Sequence, residues 1–397
     1  MKSNYDVLGN HIRLIDRRNN KLVTEQVLGI SIDKFFMPSV ANVIGTDLSK
    51  YKLIQKGNFA CNPMHVGRDE RLPVALYTSD VPAIVSPAYF MFEIIDESVL
   101  NAEFLMMWFR RAEFDRVCWL HTDGSVRGGI TWDDLCRLEI PVPSIEEQIN
   151  IVSSYKAIEQ RINIKRQIND NLVETANAWF AKFFIANPEK NSWPEGTFSQ
   201  LLIDTVGGDW GQESPSGNYT HGVSCIRGTD IPALNLGSIA EAPTRYILEK
   251  NYREKKVCPN NMVVEISGGS PVQATGRIAL VPEQILSYRG DNIICSNFCR
   301  VLKVKDDYLY FFLQNWLNLY RNGIMFNYEN SSTGLKNFNF NAFTEKHKIR
   351  IPPKELSLQF NAILEPLYRE IFSIGFEIEH LSSTLELMLP RLMSVGI

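Results

Sequence analysis

The chain states one long segment twice, and this repeat constrains the fold more than any other feature. The run Ile140-Pro141-Val142-Pro143-Ser144-Ile145-Glu146-Glu147-Gln148-Ile149-Asn150 opens an amphipathic stretch that ends in Lys182-Phe183-Phe184. In the second half Ile349-Arg350-Ile351-Pro352-Pro353 leads through Gln359-Phe360-Asn361 to Arg391-Leu392-Met393. Thr175 keeps step with Thr384 and Lys182 with Arg391, so the copies hold register along their length. A weaker echo heads each half, with Tyr5-Asp6-Val7-Leu8 opposite Phe198-Ser199-Gln200-Leu201. A period this long in two copies argues for a duplicated unit of globule followed by helix, and against a solenoid of short repeats.

Both repeated segments read as long helices. In Pro143-Ser144-Ile145-Glu146-Glu147, Ser144 is placed to accept from the Glu147 N–H while the Glu147 side chain reaches back to Ser144, a capping box. The second copy carries apolar residues at Leu356, Phe360, Ile363, Leu367, Ile371, Ile374, Ile378, Leu381, Leu385, Met388 and Leu392, the spacing of a coiled-coil seam. The first copy keeps that seam at Ile145, Ile149, Val152, Ile162, Leu172, Ala176, Trp179 and Phe183. Its middle offers Lys165 and Asn169 where apolar residues are due, with Ile164 and Ile168 displaced to one side. Polar seam residues fix register at a cost in stability, and the obvious partner of the first helix is the second. Each helix of ~40 residues would be ~60 Å long. Antiparallel pairing would hold the two globules a set distance apart in a pseudo-twofold arrangement. Asn187-Pro188 and then Trp193-Pro194-Glu195-Gly196 stop the first helix and open the second globule.

The expected fold is therefore α+β, with mixed α/β domains at 1–143 and 188–353 and helices at 144–187 and 354–397. A length of 397 residues exceeds what one core usually serves, which agrees with two domains. No apolar run approaches the length of a membrane helix, and Met1-Lys2-Ser3-Asn4-Tyr5-Asp6 lacks the apolar core of a signal peptide, so a cytoplasmic location is expected. The 7 cysteines are scattered, and Cys295 and Cys299 lack the spacing of a zinc site, so they read as reduced thiols. A net charge of −4 argues against coating nucleic acid by bulk positive charge but leaves local patches open.

Catalytic signatures are missing. The segment Gly268 to Arg277 lacks the Gly-Lys-Ser/Thr end of a phosphate-binding loop. There is no Asp/Asn/Ser-Pro-Pro-Tyr/Phe string of amino-methyltransferases and no dinucleotide fingerprint. His11, His65, His121, His221, His347 and His380 show no metal spacing. No catalytic centre, metal or cofactor is expected in this chain.

Taken together, these features resemble the specificity subunits of type I restriction–modification enzymes. The residues that carry the resemblance are Ile140-Pro141-Val142-Pro143 with Glu146-Glu147-Gln148, the loop Thr122-Asp123-Gly124-Ser125-Val126-Arg127, and the helix end Trp179-Phe180-Ala181-Lys182-Phe183-Phe184. In the second half Ser331-Ser332-Thr333-Gly334-Leu335-Lys336 repeats the loop and Ile349 to Pro353 the approach to the helix. The second copy departs from the pattern at Pro353-Lys354-Glu355-Leu356-Ser357-Leu358-Gln359, which lacks the adjacent Glu-Glu-Gln and leaves the start of that helix open.

The resemblance implies that each globule reads one half of a split double-stranded DNA target. It also implies that the helices set the spacing and dock two methyltransferase subunits, and that restriction/translocase subunits complete the complex. S-adenosylmethionine, ATP and Mg would belong to those partners. Reading bases requires side chains that reach base edges, Arg or Lys to guanine and Asn or Gln to adenine. The leading candidates are Thr122, Ser125 and Arg127 in the first globule and Asn327, Asn330, Ser331, Ser332 and Lys336 in the second. Asn62, His65, Arg68 and Arg71 form a further set in a Pro/Gly-broken stretch, and Arg227 and Arg277 complete it. Each loop could equally be a plain solvated turn. Two other functions stay open: a self-contained nuclease whose carboxylates meet only in the fold, and a coiled-coil scaffold that never touches DNA.

Overall fold

The computed structural model describes residues 5–39, 45–64, 66–122, 128–239, 241–270, 272–290, 292–332 and 335–392. The chain divides into two compact units, 1–161 with 383–397, and 162–382.

In the first unit a four-stranded antiparallel sheet has the order Ile12–Leu14, Phe90–Ile94, Phe59–Cys61, Val74–Leu76. Side chains alternate across such a sheet. Phe59, Cys61, Val74 and Phe92 face one core, and Ala60, Ala75 and Met91 face another. Phe59 stacks on Phe92 at 5.0 Å, and Phe109 meets Phe59 edge-on. A second sheet runs Phe36–Pro38, Val27–Ile30, Ala83–Val85, Lys52–Ile54, and in it Val27–Ile30 is parallel to Ala83–Val85.

The second unit repeats this plan. Its four-stranded sheet is Leu202–Gly207, Cys299–Val304, Asn261–Glu265, Ile278–Val281. Its smaller sheet is Thr244–Leu248, Tyr219–Ile226, Ile293–Cys295, with the matching parallel pair. A short third sheet, Ser267–Gly268, Leu335–Phe338, Glu329–Ser332, is added. Phe198, Phe312, Trp316 and Phe343 form the aromatic centre of the core.

The heads of the two halves correspond, but not in the alignment read from sequence. Tyr5–Val7 pairs with Glu139–Pro141, and Glu195–Thr197 pairs with Lys348–Arg350. Each first strand runs into a short 3₁₀ turn, Leu8–Asn10 or Phe198–Leu201. Leu8, not Tyr5, is thus the counterpart of Phe198, and both are fully buried. Similar apolar letters at Tyr5 and Phe198 concealed the shift.

The first long helix spans Ile145–Phe180 and closes with a π turn, Ala181–Ile185. The capping box forms: the Ser144 N–H donates to Glu147 Oε2 at 3.0 Å, and the Glu147 N–H donates to Ser144 Oγ at 3.3 Å. At the far end Asn187 Nδ2 donates to the Phe183 carbonyl at 2.9 Å, and Pro188 follows. The second long helix spans Lys354–Leu392, which fixes the start left open above. Among the described residues no helix is long and apolar enough to cross a membrane.

Within the second unit the two helices run antiparallel. Phe184 meets Phe360 at 4.8 Å between ring centres, Asn169 Nδ2 donates to the Ile371 carbonyl at 3.3 Å, and Lys165 pairs with Glu377 at 2.6 Å. Asn169 is buried and also donates to the Leu236 carbonyl at 3.1 Å, so the polar seam residues are points of attachment. The Leu236-Gly237 turn lies directly on the second helix, because a Cβ on Gly375 would sit 2.5 Å from the Leu236 oxygen.

The seam differs from its sequence pattern in two respects. Ile162 and Ala176 are buried and Ile145, Leu172, Trp179 and Phe183 half-buried, but Ile149 is 51% exposed, and Val152 belongs to the first domain's core. Gln148 takes the inward place next to Ile149. Its Nε2 donates to the Val99 and Pro143 carbonyls, each at 2.8 Å, and its Oε1 accepts from the Asn101 N–H at 2.8 Å. On the second helix Phe360, Leu364, Tyr368, Ile371, Phe372 and Ile374 are buried, and Leu356, Ile363 and Leu367 lie half-buried beside them. Ile378, Leu381, Leu385 and Met388 are half-buried, and the Leu392 side chain lies outside the described residues. The buried stripe is wider than a two-helix seam because the helix also covers its own domain. In the copy that lacks Gln148, Asn361 holds the helix: its Oδ1 accepts from the Tyr310 N–H and its Nδ2 donates to the Asp306 and Asp307 carbonyls.

Candidate nucleic-acid interface

In each domain the last two strands of the four-stranded sheet are joined by a loop, 62–73 in the first and 265–277 in the second. The same main-chain bond closes both: the Asn62 N–H donates to the Pro73 carbonyl and the Glu265 N–H to the Arg277 carbonyl, each at 2.8 Å. Residues 128–130, just after the first candidate loop, and the hairpin that holds the second candidate loop lie beside this loop, each in its own domain. In the first domain the Ile130 N–H donates to Pro63 O at 3.2 Å and the Gly67 N–H to Gly128 O at 3.0 Å. In the second the Phe338 N–H donates to Ile266 O at 2.7 Å, and Ser267 and Gly268 pair with Asn337 and Lys336. Segments far apart in sequence are thus joined at one place, and that place is the same in both copies.

In the first domain, Thr122 Oγ1 donates to the Trp119 carbonyl at 2.8 Å, just beyond the helix Ala112–Leu120. Asn62 Oδ1 accepts from the Met64 N–H at 3.1 Å and shapes the start of its loop. Arg71 is half exposed and pairs with Asp33 at 3.1 Å. His65, Ser125 and Arg127 lie outside the described residues, as does the side chain of Arg68, whose backbone belongs to the short helix Val66–Asp69. A buried pair not anticipated from sequence supports this region: Asp115 Oδ1 accepts from Lys34 Nζ at 2.7 Å and from the Leu72 N–H at 3.0 Å. Burial pushes the Lys34 ammonium below its ordinary pKa, against the pull of Asp115.

In the second domain each of the two arginines is held by a carboxylate. Arg277 lies side-on against Glu265, with Nε to Oε2 at 2.9 Å and Nη2 to Oε1 at 2.5 Å, and the Glu265 side chain is 2% exposed. The carboxylate fits because Gly228 and Gly268 lack side chains; a Cβ on either would lie 2.5 Å from Oε1. Arg227 grips Asp230 through Nε at 3.0 Å and Nη2 at 2.7 Å, and Nη2 also donates to the Glu241 carbonyl at 3.0 Å. The hydrogen bonds that the guanidinium groups donate to these carboxylates raise both of their pKa values. Both arginines line one cleft of about 480 Å³ with Trp210, Thr229, Gln273 and Phe298.

Lys336 pairs with Glu329 at 2.9 Å and lies over the Phe326 ring. Glu329 also accepts from the Thr275 N–H at 2.6 Å, which ties the hairpin to the loop. Burial pushes the Glu329 carboxyl up, but the bonds from Thr275 and Lys336 prevail and hold it below its ordinary value. Asn327 and Asn330 are exposed. Ser331 and Ser332 lie on the strand Glu329–Ser332, and their side chains are outside the described residues.

Residues 226–377, which include both cleft arginines, the hairpin and most of the second helix, match the family model of the type I restriction modification DNA specificity domain. The type I restriction enzyme MjaIX specificity subunit of Methanocaldococcus jannaschii is 24% identical over 315 residues, 76% of this chain and 70% of its own length. The second half of the chain thus matches a type I specificity domain, and the chain over most of its length is similar to a type I specificity subunit. The crystal structure of a type I restriction–modification S subunit from M. genitalium shares the fold, with a TM-score of 0.59 at 13% identity over 99% of this chain and 96% of that one. The mixed α/β domains and long helices of this shared fold are thus the frame that carries the paired loops.

Proposed function

We propose that the chain is the DNA-specificity subunit of a type I restriction–modification complex, with 1–143 and 188–353 each reading one half of a split target. The observation that carries this reading is the same pair of joined loops at the same position in both copies of the fold. Two readers held by one framework meet DNA at two places, and the bases between them go unread. The proposed contacts in the first domain come from Thr122, Ser125, Arg127, Asn62, His65, Arg68 and Arg71. Those in the second come from Asn327, Asn330, Ser331, Ser332, Lys336 and the Arg227–Arg277 cleft. Helices 144–187 and 354–397 set the spacing and dock two methyltransferase subunits. The chain is itself non-catalytic: S-adenosylmethionine binds the methyltransferase subunits, ATP and Mg belong to restriction/translocase subunits, and the complex works in the cytoplasm.

Reconstitution tests this reading. With its methyltransferase partners the chain is expected to direct adenine methylation to one bipartite sequence, whereas alone it neither methylates nor cuts duplex DNA. Binding is expected to weaken with salt in proportion to the phosphates contacted. Cleavage by the purified chain would make it a nuclease, and salt-insensitive indifference to duplexes would make it a scaffold.

A further inference from the structure

The sequence offers Arg227 and Arg277 as equals, but the structure does not. Arg227 spends Nη2 twice, on Asp230 and on the Glu241 carbonyl, so it keeps no adjacent pair of open donors. Arg277 spends Nε and one hydrogen of Nη2 on Glu265. Its end-on edge, the adjacent hydrogens of Nη1 and Nη2, has no bond among the described residues. A guanidinium is a planar fork, so fixing one edge also fixes the direction of the other.

We propose that Arg277 reads a guanine in the second half of the target, with its end-on edge donating to O6 and N7 in the major groove. This rests on the reading of the chain as a DNA-specificity subunit. A guanine presents two acceptors side by side on one edge, the pattern that a bidentate arginine matches.

Charge favours a base over a phosphate. Glu265 cancels the Arg277 charge within 2.9 Å and Asp230 cancels that of Arg227 within 3.0 Å. A phosphate in the cleft would gain little net attraction and would lie near two carboxylates. A neutral base edge gains the two directed hydrogen bonds without that opposition. Glu265 is the positioning residue: Gly228 and Gly268 let it lie against both segments of the cleft wall, and it sets the plane of the fork. The Gln273 side chain, exposed on the same loop, and Thr229 supply further polar groups to neighbouring atoms.

The test uses the full chain assembled with its methyltransferase subunits, with the methylated sequence read genome-wide. Arg277→Lys keeps a cation for Glu265 but loses the fork. The double variant Glu265→Gln with Arg277→Gln removes both charges together and strands neither. Both are expected to lower discrimination at one G·C pair of the second half-target by roughly 10- to 100-fold. The first half-target stays unchanged. Three results overturn the assignment: a second half-target with no fixed G·C pair, an Arg277→Lys complex with the parental motif, or an unchanged motif with a salt slope lower by about one, the mark of a phosphate contact. A parental complex that methylates no bipartite site overturns instead the functional reading beneath it.

Discussion

The loops 62–73 and 265–277 leave and rejoin their sheets by the same main-chain bond, yet they are stiffened by opposite means. The second domain works from within the loop, where Glu265 and Arg277 stand at its two ends and grip each other. The first domain has uncharged Asn62 and Pro73 at those places and works from outside, with Asp115 on a neighbouring helix holding the Leu72 N–H and Lys34. Pro73 contributes only its carbonyl, so the missing N–H costs nothing. The difference teaches that the backbone supplies the shared frame and side chains supply local rigidity, which suits a duplicated fold proposed to read two half-targets.

The sharpest way to break this comparison is to truncate the side chain at the matching loop end in each domain. Glu265→Ala leaves Arg277 without its buried partner and is expected to cost about 3–5 kcal/mol in urea unfolding, whereas Asn62→Ala at the matching place costs about 1 kcal/mol. Equal losses would mean that the two loop ends are not held differently.

Asp115→Ala strands Lys34 and frees the Leu72 N–H, so it is expected to cost roughly 3 kcal/mol and to speed hydrogen exchange at Leu72. Unchanged exchange there would remove Asp115 as the first domain's external anchor.

A smaller effect concerns the helix attachments. Gln148→Ala and Asn361→Ala are each expected to lose about 1–3 kcal/mol, since each leaves a main-chain N–H without its acceptor. Exchange should rise at Asn101 in the first variant and at Tyr310 in the second. A rise at the same segment in both would show that the attachments do not do parallel jobs.

The smallest effect is one of pH. Burial holds the His347 imidazole below its ordinary pKa, with Tyr328 at 3.1 Å from Nδ1. The unfolded chain therefore takes up this proton more readily, and stability falls as pH drops below about 6.5. The first domain has Leu138 at the matching helix end, so the slope belongs to the second domain alone. His347→Leu should flatten the stability profile between pH 7 and 5; a persistent slope would locate the titrating group elsewhere.

What sequence revealed follows the range of the forces involved. The capping box at Ser144 and Glu147 was legible because both partners lie within one turn, and Lys165 and Asn169 because they interrupt a periodic stripe. The Asp230 partner of Arg227 lies one turn away and was within reach of the same reasoning, in the string Arg227-Gly228-Thr229-Asp230. Ile149 was misplaced because a hydrophobic pattern cannot show that Gln148 has three carbonyl and amide partners waiting inside. The Lys34–Asp115 pair and the joining of loop 62–73 to segment 128–130 depend on strand order, and no local pattern encodes that.

The main-chain closure of the two loops has a consequence for how such a protein changes over generations. A gate formed by one N–H and one carbonyl does not depend on which side chains lie beyond it, so insertions and replacements there leave the sheet's own pairing intact. Lengthening is also cheap, since doubling a flexible loop adds only about 0.6 kcal/mol of closure entropy. On the proposed function, a lineage draws new target words from exchanged cassettes while the grammar, the distance between the words, is left to parts of the molecule that those exchanges do not touch.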